Sequence, residues 1–126
     1  MMNQKNTLLA GAILGGVGVA LGAFGAHALK AMLTETGRLD TFELAVRYEF
    51  YHAFALLVTG LVQQFIDSKF LKTAAGFFLG GTILFSGSLY LLCLTNNTSF
   101  AMATPLGGVL LIVGWLFLAI GIYSKK

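Results

Sequence analysis

Residues 7–29 read TLLAGAILGGVGVALGAFGAHAL, 23 residues without a charge between Lys5 and Lys30. A helix needs about 20 apolar residues to cross a hydrocarbon core, so this stretch is long enough to span a bilayer. Ala26-His27-Ala28 satisfies the small-x-small rule for signal cleavage. The apolar region of a signal peptide runs only about 7–15 residues, however, and the length assigns the stretch to a retained first helix. Gly11, Gly15, Gly18, Gly22 and Gly25 alternate spacings of four and three, which places them on one helix face. Without Cβ atoms, such a face lets another backbone approach closely, where lipid supplies no hydrophobic drive between helices. Gly16, Ala20, Ala23 and His27 form a second stripe at the same spacing.

Working outward, residues 50–66, 73–95 and 101–123 repeat the pattern, separated by the polar turns Asp67-Ser68-Lys69 and Asn96-Asn97-Thr98-Ser99. The expected fold class is an all-α membrane protein, a compact bundle of four transmembrane helices. Residues 1–126 then form a single integral membrane domain, and no soluble domain remains. Composition agrees: 57% of the 126 residues are hydrophobic and 10% charged, with a mean hydropathy of +0.84. Soluble domains carry about 25% charged residues. One proline and little charge also argue against disorder.

The connection from Lys30 to Glu49 is more than a spacer. Thr34-Glu35-Thr36-Gly37 reads as a turn, and Asp40 and Glu43 have capping-box spacing. Phe42, Ala45, Val46, Phe50, Ala53 and Phe54 then recur at helical spacing, predicting a helical extension continuous with the second span, over 41–66.

An even number of crossings puts both termini on one side, with Lys5, Lys69, Lys72, Lys125 and Lys126. Lys30, Arg38 and Arg47 fall on the other side, so the positive-inside rule favours cytoplasmic termini. The dispersed basic residues form no concentrated patch, and nucleic acid is not an expected partner. A single cysteine, Cys93, excludes an internal disulfide.

Gly76, Gly80 and Gly87 lie at helical spacing in the third span, and Gly107, Gly114 and Gly121 recur every seven residues in the fourth. These predict close helix packing, with a further glycine face available to a homo-oligomer or membrane-protein partner. The first span lacks a G-x-G-x-x-G or phosphate-loop pattern and precedes no strand–helix unit, which argues against nucleotide binding. Pro105 suits the first turn of its helix, where a missing N–H costs least. Trp115 falls mid-span, where its indole N–H needs an internal partner.

The threading gathers polar residues at the extracytoplasmic end: His27, Arg47, Tyr48, Glu49, His52 and Tyr90. Ionisable groups at membrane depth are costly unless paired or hydrated. Glu43 and Arg47 are spaced to pair, and Glu49 and His52 are three apart on one helix. Glu49-Phe50-Tyr51-His52 has the E-x-x-H spacing of carboxylate-bridged metal bundles, but the other spans contain no Asp or Glu. A mononuclear site of His27, Glu49 and His52 is the alternative for a metal. The same groups are suited to proton exchange, although no ionisable route continues through the third and fourth spans. No Gly-x-Ser-x-Gly element or hydrolytic triad is present.

Several motifs, in order, carry a resemblance to a known family. They are Gly22-Ala23-Phe24-Gly25-Ala26-His27-Ala28-Leu29, Tyr51-His52-Ala53, Leu84-Phe85-Ser86-Gly87-Ser88-Leu89-Tyr90, Thr104-Pro105-Leu106-Gly107-Gly108 and Gly114-Trp115. Together they resemble the YgdD/YwdK-like family of small membrane proteins of unknown function (domain of unknown function 423), related to a eukaryotic transmembrane family. The resemblance covers nearly the whole chain. It implies about four helices in the bacterial plasma membrane, and supplies no reaction, substrate or cofactor.

The expectation is a non-enzymatic structural or accessory membrane protein with membrane lipids as partners and no cofactor or catalytic residue. A small-ligand, ion or proton binder or transporter using the polar cluster is the alternative, and a metal-binding membrane enzyme a weaker one.

Overall fold

Apolar runs of this length become helices wherever a polar residue or a turn can close their ends. In the computed structural model, which describes residues 2–125, the Asn3 side chain accepts the Asn6 amide and opens α1, Gln4–Ala26. The short α2 spans Lys30–Glu35 and α3 spans Leu39–Gln63. Ser68 accepts the Phe70 amide at the start of α4, Lys69–Thr95. A 3-10 turn over Thr98–Met102 leads into α5, Thr104–Tyr123, with Pro105 in its first turn. Lys126, counted above with the basic residues of the terminal side, lies outside the described residues.

The connection between α1 and α3 differs in detail from the sequence expectation. α2 closes on Gly37, whose φ of +71° only glycine adopts cheaply, and the Arg38 amide donates to Leu33 O at 2.8 Å. α3 therefore starts at Leu39, with Arg38 at its N-cap giving no side-chain hydrogen bond. Asp40 falls inside the first turn, so the capping box with Glu43 does not form; its carboxylate instead favours the positive end of the helix dipole. From there α3 runs unbroken for 25 residues, about 38 Å at 1.5 Å per residue. It stops short of Ile66, which follows a turn at Gln64 and Phe65.

The long helices pack in chain order: α1 against α3, α3 against α4, and α4 against α5. α3 thus lies between α1 and α4. Among the described residues, three helical segments are long and apolar enough to cross a membrane: α1, α4, and the 3-10 turn with α5. α3 does not meet that standard, because Arg47, Glu49 and His52 interrupt its apolar run. Spans counted by apolarity alone therefore number three rather than the expected four.

The glycines divide sharply by what faces them. A Cβ on Gly11 would stand 2.9 Å from the Ala53 carbonyl oxygen, and one on Gly25 2.5 Å from the Phe42 ring. On α5, a Cβ on Gly107 would collide with the Phe85 backbone; on Gly114 it would lie 2.8 Å from Phe78, and on Gly121 2.7 Å from Leu71. α1 thus meets α3, and α5 meets α4, at distances only glycine permits. A Cβ on Gly22 would make merely an ordinary contact with Val46, at 3.6 Å, and one on Gly15, Gly76, Gly80 or Gly87 would meet no other part of the described residues within 4 Å. Those four therefore serve no close packing among the described residues. Gly60 and Gly81, outside the expected stripes, are as tight as the others: Cβ atoms there would meet Leu8 at 2.5 Å and Leu111 at 2.7 Å.

The buried core joins Leu56, Leu71, Phe78, Leu111 and Leu118 across α3, α4 and α5. A second cluster of Leu33, Phe42 and Cys93 ties α2 to α3 and α4. Ile13, Val19, Phe54, Val58, Ile83 and Leu116 are exposed, distributed over every long helix. An apolar exterior on all long helices is what lipid, not water, solvates.

Candidate functional site

Two polar junctions form where α3 meets its neighbours, and they lie on different sides of that helix. The first joins α1, α3 and α4 around Glu49, which is 2% exposed. Tyr90 on α4 donates its phenolic hydroxyl to Glu49 Oε1 at 2.7 Å. Glu49 Oε2 is buried with no hydrogen-bond partner among the described residues. It faces Gly18, where an added Cβ would stand 3.2 Å away. The Tyr90 ring packs edge-on against Phe42, with centroids 5.3 Å apart.

The second junction joins α3, α4 and α5 around His52, 4% exposed. His52 Nδ1 lies 2.8 Å from the Tyr48 carbonyl oxygen, and the Trp115 indole N–H donates to His52 Nε2 at 3.1 Å. A carbonyl only accepts and an indole only donates, so Nδ1 must carry the hydrogen and Nε2 the lone pair. The two partners hold His52 as one neutral tautomer, with both ring nitrogens in use. Aromatic rings enclose it: Trp115 and Phe78 approach with centroids 5.8 Å from the imidazole, and Tyr48 stacks on Phe85 at 4.6 Å.

The expected cluster is thus only partly assembled. Tyr90 and Glu49 come together, as do Tyr48 and His52. Glu49 and His52, although three apart, turn to different neighbours and share no hydrogen bond. His27 caps the end of α1, exposed beside Ala20, Ala23, Phe24 and Ala28, with no residue of α3 in that groove. Arg47 is exposed and makes no ion pair with Glu43, Lys72 and Asp67 being the pair within 4.0 Å among the described residues. No three His, Cys, Asp or Glu side chains gather into a metal-binding group among the described residues. The set His27, Glu49 and His52 is therefore not brought together.

Sequence reasoning missed several cross-links, among them three that tie separate elements together. Trp115 is the partner of His52, although its mid-span indole already called for an acceptor. Ser86 on α4 donates to the Ala45 carbonyl on α3 at 2.7 Å. Arg38 Nε donates to Asn96 Oδ1 at 3.1 Å, joining two connections at one end of the molecule. A serine in an apolar helix bonds its own backbone as readily as a neighbour's, so no spacing rule distinguishes the Ser86 contact.

An all-helical chain with an apolar exterior, glycine-mediated contacts and polar groups turned inward defines an integral membrane protein. The family described as "Protein of unknown function (DUF423)" matches residues 21–108. The chain is similar along its length to curated bacterial relatives. It is 37% identical to the UPF0382 membrane protein of Haemophilus influenzae, over 100% of this chain and 98% of the relative. It is likewise 37% identical to the UPF0382 inner membrane protein YgdD of Escherichia coli, over 99% and 95% of the two chains. With the UPF0382 membrane protein YwdK of Bacillus subtilis it shares 36% identity over 93% and 95%. The chain belongs to this family of uncharacterised membrane proteins. No solved structure matches it.

Proposed function

We propose that the chain is a non-enzymatic integral membrane protein, one domain crossing the bilayer four times, with α3 as the second crossing beside those of α1, α4 and α5. It acts as a structural or accessory component, with both termini cytoplasmic. The observation that carries this reading is His52, whose two nitrogens are bonded to Tyr48 O and to Trp115 on α5. A polar group so satisfied can lie at membrane depth and locks α3 to α5. Polar α3 can cross because its neighbours supply those partners. Complementation of a strain lacking the gene tests the role. Restored phenotype should track the abundance of folded protein across Gly114→Leu, His52→Ala and Trp115→Phe. A variant that folds at full abundance yet loses the phenotype would refute a purely structural role.

A second reading has its own observation, the buried and unpartnered Glu49 Oε2. An intramembrane carboxyl with one free oxygen is suited to exchanging a proton or a cation. On this reading, proteoliposomes containing the chain show proton or cation flux that Glu49→Gln abolishes while leaving the fold intact. Equal flux from both proteins, or none from either, rejects it.

A further inference from the structure

Where α1 ends against the start of α3, a groove of about 220 Å³ opens, lined by Gly22 and Gly25 on one helix and Phe42, Glu43, Val46 and Arg47 on the other. Gly22 keeps the space clear, since a Cβ there would meet only Val46, at 3.6 Å. Glu43 and Arg47 stand one turn apart on the same side of α3. Both are exposed, and neither is paired with the other. The groove therefore offers one anionic and one cationic group, a helical turn apart, beside glycine, alanine and valine surface.

We propose that this groove binds a zwitterionic phospholipid bearing a primary ammonium, a phosphatidylethanolamine. The Arg47 guanidinium takes the phosphate, with a fork geometry suited to two of its oxygens. The Glu43 carboxylate accepts hydrogen bonds from the ammonium N–H groups. An acyl chain lies along Gly22, Ala26 and Val46. Phosphatidylcholine has the same phosphate, but its quaternary ammonium offers Glu43 no N–H. Phosphatidylglycerol brings no cation, and leaves Glu43 facing an anionic headgroup. Charge complementarity thus selects among lipids with identical chains. The site requires only that this end of the bundle meets headgroups, and its test reads lipid selectivity rather than topology.

The experiment titrates the purified full-length chain in nonionic detergent with phosphatidylethanolamine, phosphatidylcholine and phosphatidylglycerol of matched chains. Native mass spectrometry counts the lipid retained. The native protein should retain phosphatidylethanolamine at least fivefold over the other two. Arg47→Gln should reduce all three to a common level, and Glu43→Gln should erase the discrimination against phosphatidylcholine while phosphate binding persists. Glu43→Lys should reverse the preference toward phosphatidylglycerol, an outcome that misfolding does not produce. Equal retention of the three lipids by the native chain, or a native preference for phosphatidylglycerol, overturns the proposal. So does a preference that survives both Arg47→Gln and Glu43→Lys, or competition by soluble glycerophosphoethanolamine at the same concentration as the lipid.

Discussion

Replacing Tyr90 with phenylalanine removes one oxygen and nothing else from the junction of α1, α3 and α4. The ring can keep its edge-on contact with Phe42, at 5.3 Å between centroids. The hydroxyl that donates to Glu49 Oε1 at 2.7 Å is gone, and Oε2 already has no partner. A carboxyl 2% exposed would then have neither oxygen satisfied by a described residue. Stranding a buried polar group costs about 1–3 kcal/mol, and more when it is charged, so Tyr90→Phe should destabilise the protein by about 2–3 kcal/mol. The companion Glu49→Met removes the carboxyl while roughly keeping its volume. Replacing both partners with apolar groups of similar shape is nearly neutral or stabilising. The double variant Tyr90→Phe/Glu49→Met should therefore lie within about 0.5 kcal/mol of the native protein or above it. Equilibrium unfolding in a fixed detergent mixture closes the cycle. Additive losses, with the double variant less stable than Tyr90→Phe, would refute the claim that Glu49 and Tyr90 depend on each other.

Other outcomes follow from the same geometry. Gly107→Ala presses a methyl into the Phe85 backbone and should cost about 1–3 kcal/mol, whereas Gly80→Ala, facing nothing within 4 Å, should be neutral or gain up to about 1 kcal/mol of helix propensity. Thermal melts of the two purified variants distinguish them, and equal losses would contradict the packing assignment. Nitrogen-15 NMR of labelled histidine should find His52 with hydrogen on Nδ1 and none on Nε2; hydrogen on Nε2 would exclude the Trp115 bond. Trp115→Phe should lower stability by about 0.5–1.5 kcal/mol, read by chemical unfolding, because His52 Nε2 loses its donor while the aromatic contact largely remains. An unchanged unfolding midpoint would show that the indole bond contributes nothing.

Much of the helical framework was legible because bilayer spans are long and glycine spacing is periodic. Gly11, Gly18 and Gly25 indeed face α3 at close range, and Gly107, Gly114 and Gly121 face α4. The same periodicity could not say which glycine stripes have a partner, because spacing fixes a face and not its neighbour. Gly76 and Gly80 repeat as regularly as Gly114 and Gly121, yet only the latter pair meets another helix. The start of α3 was misread at Asp40 because a preceding short helix and the positive φ of Gly37 set the boundary instead.

The polar cluster was legible as composition and not as geometry. Glu49 and His52 are three apart, but helix packing turns one toward Tyr90 and the other toward Trp115. His27 shares the end of α1 with residues that pack on α3, yet its side chain is exposed elsewhere. Rotation of each helix about its own axis decides these contacts, and a single sequence does not encode that rotation locally.

On the proposed topology α3 crosses the membrane although it is the most polar of the long helices. Single-cysteine variants on a Cys93→Ser background, probed with a membrane-impermeant thiol reagent in intact cells, test it most directly. Glu35→Cys and Thr98→Cys should be labelled from outside, while Lys5→Cys and Asp67→Cys should react only after permeabilisation. Labelling of Glu35→Cys and Asp67→Cys from the same face would show that α3 does not cross.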